Sequence, residues 1–146
     1  MNSTPQNIAL NILLADDDSD DCFFFKKALN ELPIETNLTI VHDGEELMNY
    51  LSDNSDKLPD LLFLDLSMPR KTGIECLSEI KENEKFKKLR VVVFTTSFVR
   101  DIDFEQSLIN TLSSIGAEKY IRKPSDFEML KKIISEELAN SLSKTV

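Results

Sequence analysis

Short apolar runs alternate with helical patterns five times along this chain, and that alternation leaves few folds open. Leu61-Leu-Phe-Leu64 is the most apolar run and stops at Asp65. Leu10-Asn-Ile-Leu-Leu-Ala15 stops at Asp16, and Leu38-Thr-Ile-Val41 is followed by His42, Asp43 and Gly44. Val91-Val-Val-Phe-Thr95 and the more polar Lys119-Tyr-Ile-Arg122 complete the set. Branched, apolar runs of this length, bounded by polar residues, suit strands buried on both faces.

The intervening segments have helical spacing. Phe23, Phe24, Ala28, Leu29 and Leu32 predict a helix opened by the acidic stretch 16–21, whose charges favour a helix N-terminus. Leu47, Met48 and Leu51 predict the inward face of a short helix over 45–51. Ile74, Leu77 and Ile80 mark a third. Ile102, Leu108, Ile109, Leu112 and Ile115 mark a fourth within 98–115, capped by Gly116. Phe127, Leu130, Ile133, Ile134 and Leu138 mark a fifth, with Ser125 at its N-cap. Strict β-then-α order predicts an α/β fold: a doubly wound, five-stranded parallel sheet with helices on both faces. The polar last strand is expected at an edge. The 146 residues make one domain, expected over 8–140 between loose polar tails at 1–7 and 141–146.

Scarce residues exclude several chemistries. Three isolated glycines, Gly44, Gly73 and Gly116, cannot write a Walker loop or a dinucleotide fingerprint. The single histidine, His42, rules out a multi-histidine metal cage and is expected to be structural or exposed. Cys22 and Cys76 form no CxxC pair and are expected as reduced, half-buried thiols in a cytoplasmic protein. A net charge of -9 argues against nucleic-acid and anionic-membrane partners, even with the small basic patch at Lys85, Lys87, Lys88 and Arg90. No apolar run reaches 18 residues, and the start lacks the pattern of a secretion signal.

In an open parallel sheet, ligands sit at the carboxyl ends of the strands. Those ends carry Asp16 and Asp17, then His42 and Asp43, then Asp65, then Thr95 and Thr96, and finally Lys123 and Pro124. Clustered carboxylates repel, so a cation is expected among them beyond Lys123. With oxygen donors only, Mg²⁺ or Mn²⁺ fits best. Asp20 and Asp21 read as an ordinary solvated helix start.

Ile12-Leu-Leu-Ala-Asp16-Asp17, Asp65-Leu-Ser-Met68-Pro69 with Gly73, Val92-Val-Phe-Thr95-Thr96, and Tyr120-Ile-Arg-Lys123-Pro124 resemble the receiver domain of two-component response regulators. The motifs stand in the family's order across roughly residues 10–138. The resemblance implies a flavodoxin-like (βα)5 fold with strand order 2-1-3-4-5. It implies Asp65 as phosphoacceptor and Asp16 and Asp17 as the acidic pocket. Asp17, Asp65 and the Ser67 backbone carbonyl would hold the metal, with Asp16 acting through metal-bound water. Lys123, Thr95 and Thr96 would contact the phosphoryl group. Thr95 and Tyr120 would form the switch, and the Lys123–Pro124 peptide would be cis. Implied partners are a sensor histidine kinase or phosphotransfer protein and a downstream protein target, the chain acting as a monomer or a phosphorylation-dependent dimer. With too little chain after residue 140 for an output domain, signalling is expected through protein contact.

Departures from the family pattern are visible too. Thr96 stands where a smaller residue is usual, and its methyl would hinder transfer or water attack. The stretch from Thr95 to Gly116 is about six residues longer than the family's, and 53–59 is also long. Both resemble a stand-alone receiver subfamily that includes regulators of phytochrome kinases. A second reading is a phosphatase of the haloacid-dehalogenase type with its aspartyl-phosphate at Asp16, since Asp16-Asp17-Asp18-Ser19 faintly resembles that nucleophile pattern.

Overall fold

The computed structural model describes residues 9–96 and 102–144. Its strands are β1 (Leu10–Ala15), β2 (Thr36–Val41), β3 (Leu61–Leu64), β4 (Val91–Thr95) and β5 (Lys119–Arg122). Its helices are α1 (Ser19–Asn30), α2 (Gly44–Asp53), α3 (Gly73–Glu82), α4 (Ile102–Ile115) and α5 (Phe127–Lys144). The sheet runs β2-β1-β3-β4-β5 and every pairing is parallel. The polar β5 lies at an edge, as its composition predicts.

Side chains alternate across the sheet, so each strand feeds two cores. Leu13, Ala15, Leu62, Leu64, Val91 and Val93 pack with Leu47, Leu51, Leu77, Ile80 and Leu112 of α2, α3 and α4. Ile12, Leu14, Leu61, Phe63, Val92 and Phe94 pack with Phe25, Leu29, Ile134 and Leu138 of α1 and α5. Phe25, Phe63 and Phe94 meet edge to face at 4.9–6.1 Å between ring centres.

Several boundaries and faces differ from the sequence reading. Phe23 and Phe24 are exposed, and Phe25 is the ring that α1 buries. Three consecutive phenylalanines cannot all face inward, and only Phe25 is in helical phase with Cys22, Ala28 and Leu29. Ile74 is exposed, while Cys76, Leu77 and Ile80 line the buried side of α3. Cys22 and Cys76 are buried rather than half-buried; burial pushes their thiols up to about 11 and about 12. β2 starts two residues early, at Thr36. Helix α5 is capped by Asp126, whose carboxylate accepts from the Met129 amide, and not by Ser125. It continues to Lys144 where a loose tail was expected, because Glu137, Leu138 and Ser141 keep the inward phase set by Ile134. The tail at 1–7, the helical pattern over 98–101 and residues 145–146 lie outside the described residues.

Candidate phosphoacceptor site

Parallel order brings the strand ends together, and the caps hold the chain there. Asp18, Asp43 and Thr72 cap α1, α2 and α3, so each helix starts beside a strand's carboxyl end. The backbone ties the rim in sequence: Asp16 N–H donates to Val41 O, Asp65 N–H to Ala15 O, and Lys123 N–H to Thr95 O, at 2.9–3.0 Å.

Asp16, Asp17 and Asp65 each present an oxygen within 4.8 Å of the others. Asp16 and Asp65 are buried, whereas Asp17 is exposed. Asp65 Oδ1 accepts from Thr95 Oγ1 at 2.7 Å and from the Ser67 amide at 3.3 Å. Its Oδ2 lies 3.5 Å from Lys123 Nζ, the longest contact that ammonium makes here. Lys123 donates to Asp16 Oδ2 at 2.6 Å and to Asp21 Oδ2 at 2.8 Å. Asp16 Oδ1 accepts from the Asp18 amide at 2.9 Å.

Burial pushes Asp16 up to about 6, against the pull of Lys123 and the Asp18 amide. Burial alone lowers Lys123, but its bonds to Asp16 and Asp21 and the charges of Asp16 and Asp65 outweigh that, so it stays a cation. The result is a nearly dry carboxylate with one oxygen held by a hydroxyl and an amide and the other facing an ammonium.

The structure therefore gathers Asp16, Asp17, Asp65, Thr95 and Lys123 on one rim. Thr96 is exposed just past β4. Tyr120 lies in β5, and its hydroxyl donates to Glu105 of α4 at 3.0 Å. Arg122 binds the same carboxylate at 2.6 Å. His42 is exposed, with Nδ1 3.3 Å from the Asp16 carbonyl. The Lys123–Pro124 bond is a correction: no described peptide bond is cis. Before proline the two isomers differ by only about 0.5–1 kcal/mol, and here Lys123 reaches its carboxylates with the bond trans.

Asp21 belongs to the site, through its bond to Lys123, and not to a solvated helix start. It stands four residues before the buried Phe25, on the same helical face, and that phase was the signal that could have found it.

The response regulator receiver domain family matches residues 12–135. The chain belongs to that family. Receiver domains are the signalling modules of two-component systems that are phosphorylated on an aspartate, and the match covers most of the chain. A probable methanogenesis regulatory protein, FilR2 of Methanothrix harundinacea (strain 6Ac), is 32% identical over 128 residues, 86% of this chain and 79% of that protein. Response regulator Rcp1 of Synechocystis sp. is 39% identical over 95 residues, so the chain spans 64% of it and matches through 62% of itself. A crystal structure of the Mn²⁺-bound form of response regulator Rcp1 superimposes with a TM-score of 0.74 at 30% identity, over 86% of this chain and 92% of the other. The phosphorylated cyanobacterial phytochrome response regulator RcpA superimposes with a TM-score of 0.80 at 29% identity, over 94% and 96%. This receiver is thus similar to phytochrome response regulators in sequence and in fold. The family disfavours the haloacid-dehalogenase reading, in which Asp16 would be the nucleophile.

Proposed function

We propose that Asp65 receives a phosphoryl group from the phosphohistidine of a sensor kinase or a phosphotransfer protein. The observation that carries this is the asymmetry of its carboxylate. Oδ1 is held by Thr95 and Ser67, while Oδ2 faces Lys123 and the rim. Oδ2 forms the new bond to phosphorus, the phosphorus–nitrogen bond of the donor breaks, and the imidazole keeps the electron pair. Such a transfer needs positioning and charge neutralisation more than acid–base help. Lys123 supplies one positive charge to a phosphoryl oxygen. Thr95 turns its hydroxyl from Asp65 to the phosphoryl group, and Thr96 stands exposed beside it. Tyr120 is the neighbouring aromatic through which that shift reaches α4, by way of Glu105.

The donor set fits a small hard cation. Asp16, Asp17 and Asp65 offer oxygens close enough to share one ion, and oxygen ligands suit Mg²⁺ or Mn²⁺. Asp17, Asp65 and the Ser67 carbonyl would hold it, with Asp16 one water away. When bound, the ion neutralises charge on the entering phosphoryl group.

Output runs through protein contact, in the cytoplasm, with no nucleic acid bound. None of the described helices is long and apolar enough to cross a membrane. The likeness to RcpA makes a phytochrome-class kinase the first donor to test. The reading itself is tested with acetyl phosphate and Mg²⁺. Intact mass should show one added phosphoryl group, and borohydride trapping should place it on Asp65. A label on Asp16 would reinstate the phosphatase-like chemistry.

A further inference from the structure

Lys123 is the cation the transfer needs, yet it is shared among three carboxylates. Asp16 lies at 2.6 Å, Asp21 at 2.8 Å and Asp65 at 3.5 Å. The two shorter contacts hold the ammonium away from the phosphoacceptor. Asp16 has no freedom to yield: it is 1% exposed, follows β1 directly, and is bonded to the Asp18 amide. Asp21 has that freedom. Its side chain is 39% exposed on the first turn of α1, so water can replace Lys123 as its partner.

We propose that Asp21 is a positioning residue that holds the Lys123 ammonium off Asp65 and so slows phosphoryl uptake. The inference rests on reading Asp65 as the phosphoacceptor. Phosphorylation replaces the single negative charge of the Asp65 carboxylate with nearly two on the phosphoryl oxygens. Lys123 must then move toward the phosphoryl oxygens, and the contact it gives up is the exposed one. Ion pairs with a solvent-accessible partner are weak, which makes the restraint a modest brake on rate.

A general charge effect makes a different forecast. Asp20 is exposed on the same turn but is not among the carboxylates within 4.0 Å of Lys123. Removing either acid relieves the same bulk repulsion of an anionic donor, whereas only Asp21 restrains the lysine.

The test compares the full chain with Asp21→Asn, Asp21→Glu and Asp20→Asn, using acetyl phosphate and Mg²⁺ and following initial rates by intact mass. Asp21→Asn should phosphorylate about two- to five-fold faster. Asp21→Glu, which restores the carboxylate, should return toward the wild-type rate, and Asp20→Asn should stay near it. Beryllium fluoride, a phosphoryl mimic that needs no transfer step, should bind Asp21→Asn tighter by a similar factor. Equal acceleration by Asp20→Asn, or an Asp21→Asn rate at or below wild type, would overturn the inference alone. A wild-type chain that gains no mass at Asp65 would overturn the phosphoacceptor reading and this inference with it.

Discussion

Thr95 Oγ1 donates to Asp65 Oδ1 across 2.7 Å, and both side chains are buried. The hydroxyl is therefore already engaged with the carboxylate before any phosphoryl group arrives. Replacing it with a shape-matched apolar group strands a buried anion oxygen with only the Ser67 amide at 3.3 Å. We expect Thr95→Val to lower unfolding free energy by about 1–3 kcal/mol. Thr95→Ser, which keeps the donor, should lose clearly less. Urea unfolding without metal measures both, and equal losses would show that the methyl matters more than the bond.

Crowding of the three acids makes a signed forecast about metal. Oxygens of Asp16, Asp17 and Asp65 all lie within 4.8 Å, and Lys123 is nearer to Asp16 and Asp21 than to Asp65. Asp65→Asn removes repulsion and keeps an oxygen for Thr95, so it should raise the melting temperature in metal-free buffer. A gain of ~1 kcal/mol corresponds to a few degrees in a domain of this size. Mg²⁺ should stabilise the wild type by about 2.7 kcal/mol at a hundred times its dissociation constant, and Asp65→Asn or Asp17→Asn far less. A wild-type melt indifferent to Mg²⁺ would remove the case for the ion.

The pH dependence follows from Asp16. Burial raises it from 3.8 to about 6, so the folded chain holds this proton more tightly than the unfolded chain. The contribution is full below 3.8 and is lost as pH rises through about 6. In metal-free buffer the stability of wild type relative to Asp16→Asn should therefore fall across that window and level off above it. Thermal melts of the pair from pH 4 to 7 give the difference directly. A difference flat across the whole range would mean that Asp16 is not held protonated.

Much of this was legible because a parallel sheet writes itself in plain apolar runs. β1, β3, β4 and β5 begin and end where the sequence predicts, and β1 and β3 stop at a change from an apolar residue to an aspartate. β2 is an edge strand with mostly half-buried residues, so Thr36 and Asn37 carry no apolar signal. Asp16, Asp65, Thr95 and Lys123 were legible for the same reason: strand ends converge whatever the loops do. What stayed hidden depends on helix phase and on partners distant in sequence. Phe25 was masked by its two neighbours, and Asp21 by an acidic run in which one member turns inward. Glu137 and Ser141 are polar, and their burial makes sense only once Arg90 and Lys119 lie beside them. The proline isomer turns on an energy difference too small for sequence to decide.

Glu137 offers a test far from the acidic rim. It is 2% exposed, accepts from Lys119 Nζ at 2.7 Å, and keeps its Oε1 3.7 Å from Arg90 with no hydrogen-bond partner. Arg90 also binds Glu118 and Ser141, and Lys119 is close to half exposed, so both cations have other places to go. Breaking a buried pair by removing one partner costs several kcal/mol when the other is trapped. Here the escape routes reduce that, and Glu137→Gln should cost about 1–3 kcal/mol in urea unfolding. Phosphoryl uptake at Asp65 should be unchanged, since the pair sits by the opposite ends of β4 and β5. A slowed uptake would show that α5 transmits to the rim.

Gly73 sets two principles against each other. It is the first residue of α3, where alanine would gain up to about 1 kcal/mol in helix propensity. A Cβ there would meet the Asp65 carbonyl oxygen at 2.4 Å and Leu66 Cα at 2.7 Å. Both are backbone atoms of the turn that aims the phosphoacceptor, and the Gly73 amide itself donates to Leu66 O at 3.1 Å. Neither atom can swing aside as a side-chain tip would, so the turn must move as a unit. Overpacking of this kind costs about 1–3 kcal/mol, which exceeds the propensity gain. We therefore expect Gly73→Ala to be destabilised and to phosphorylate slowly even at temperatures where it is fully folded, because the displaced atom belongs to Asp65 itself. Urea unfolding and acetyl-phosphate labelling on the same preparation separate the two effects. A variant more stable than wild type, or equally fast when folded, would show that the turn has slack the close contacts deny.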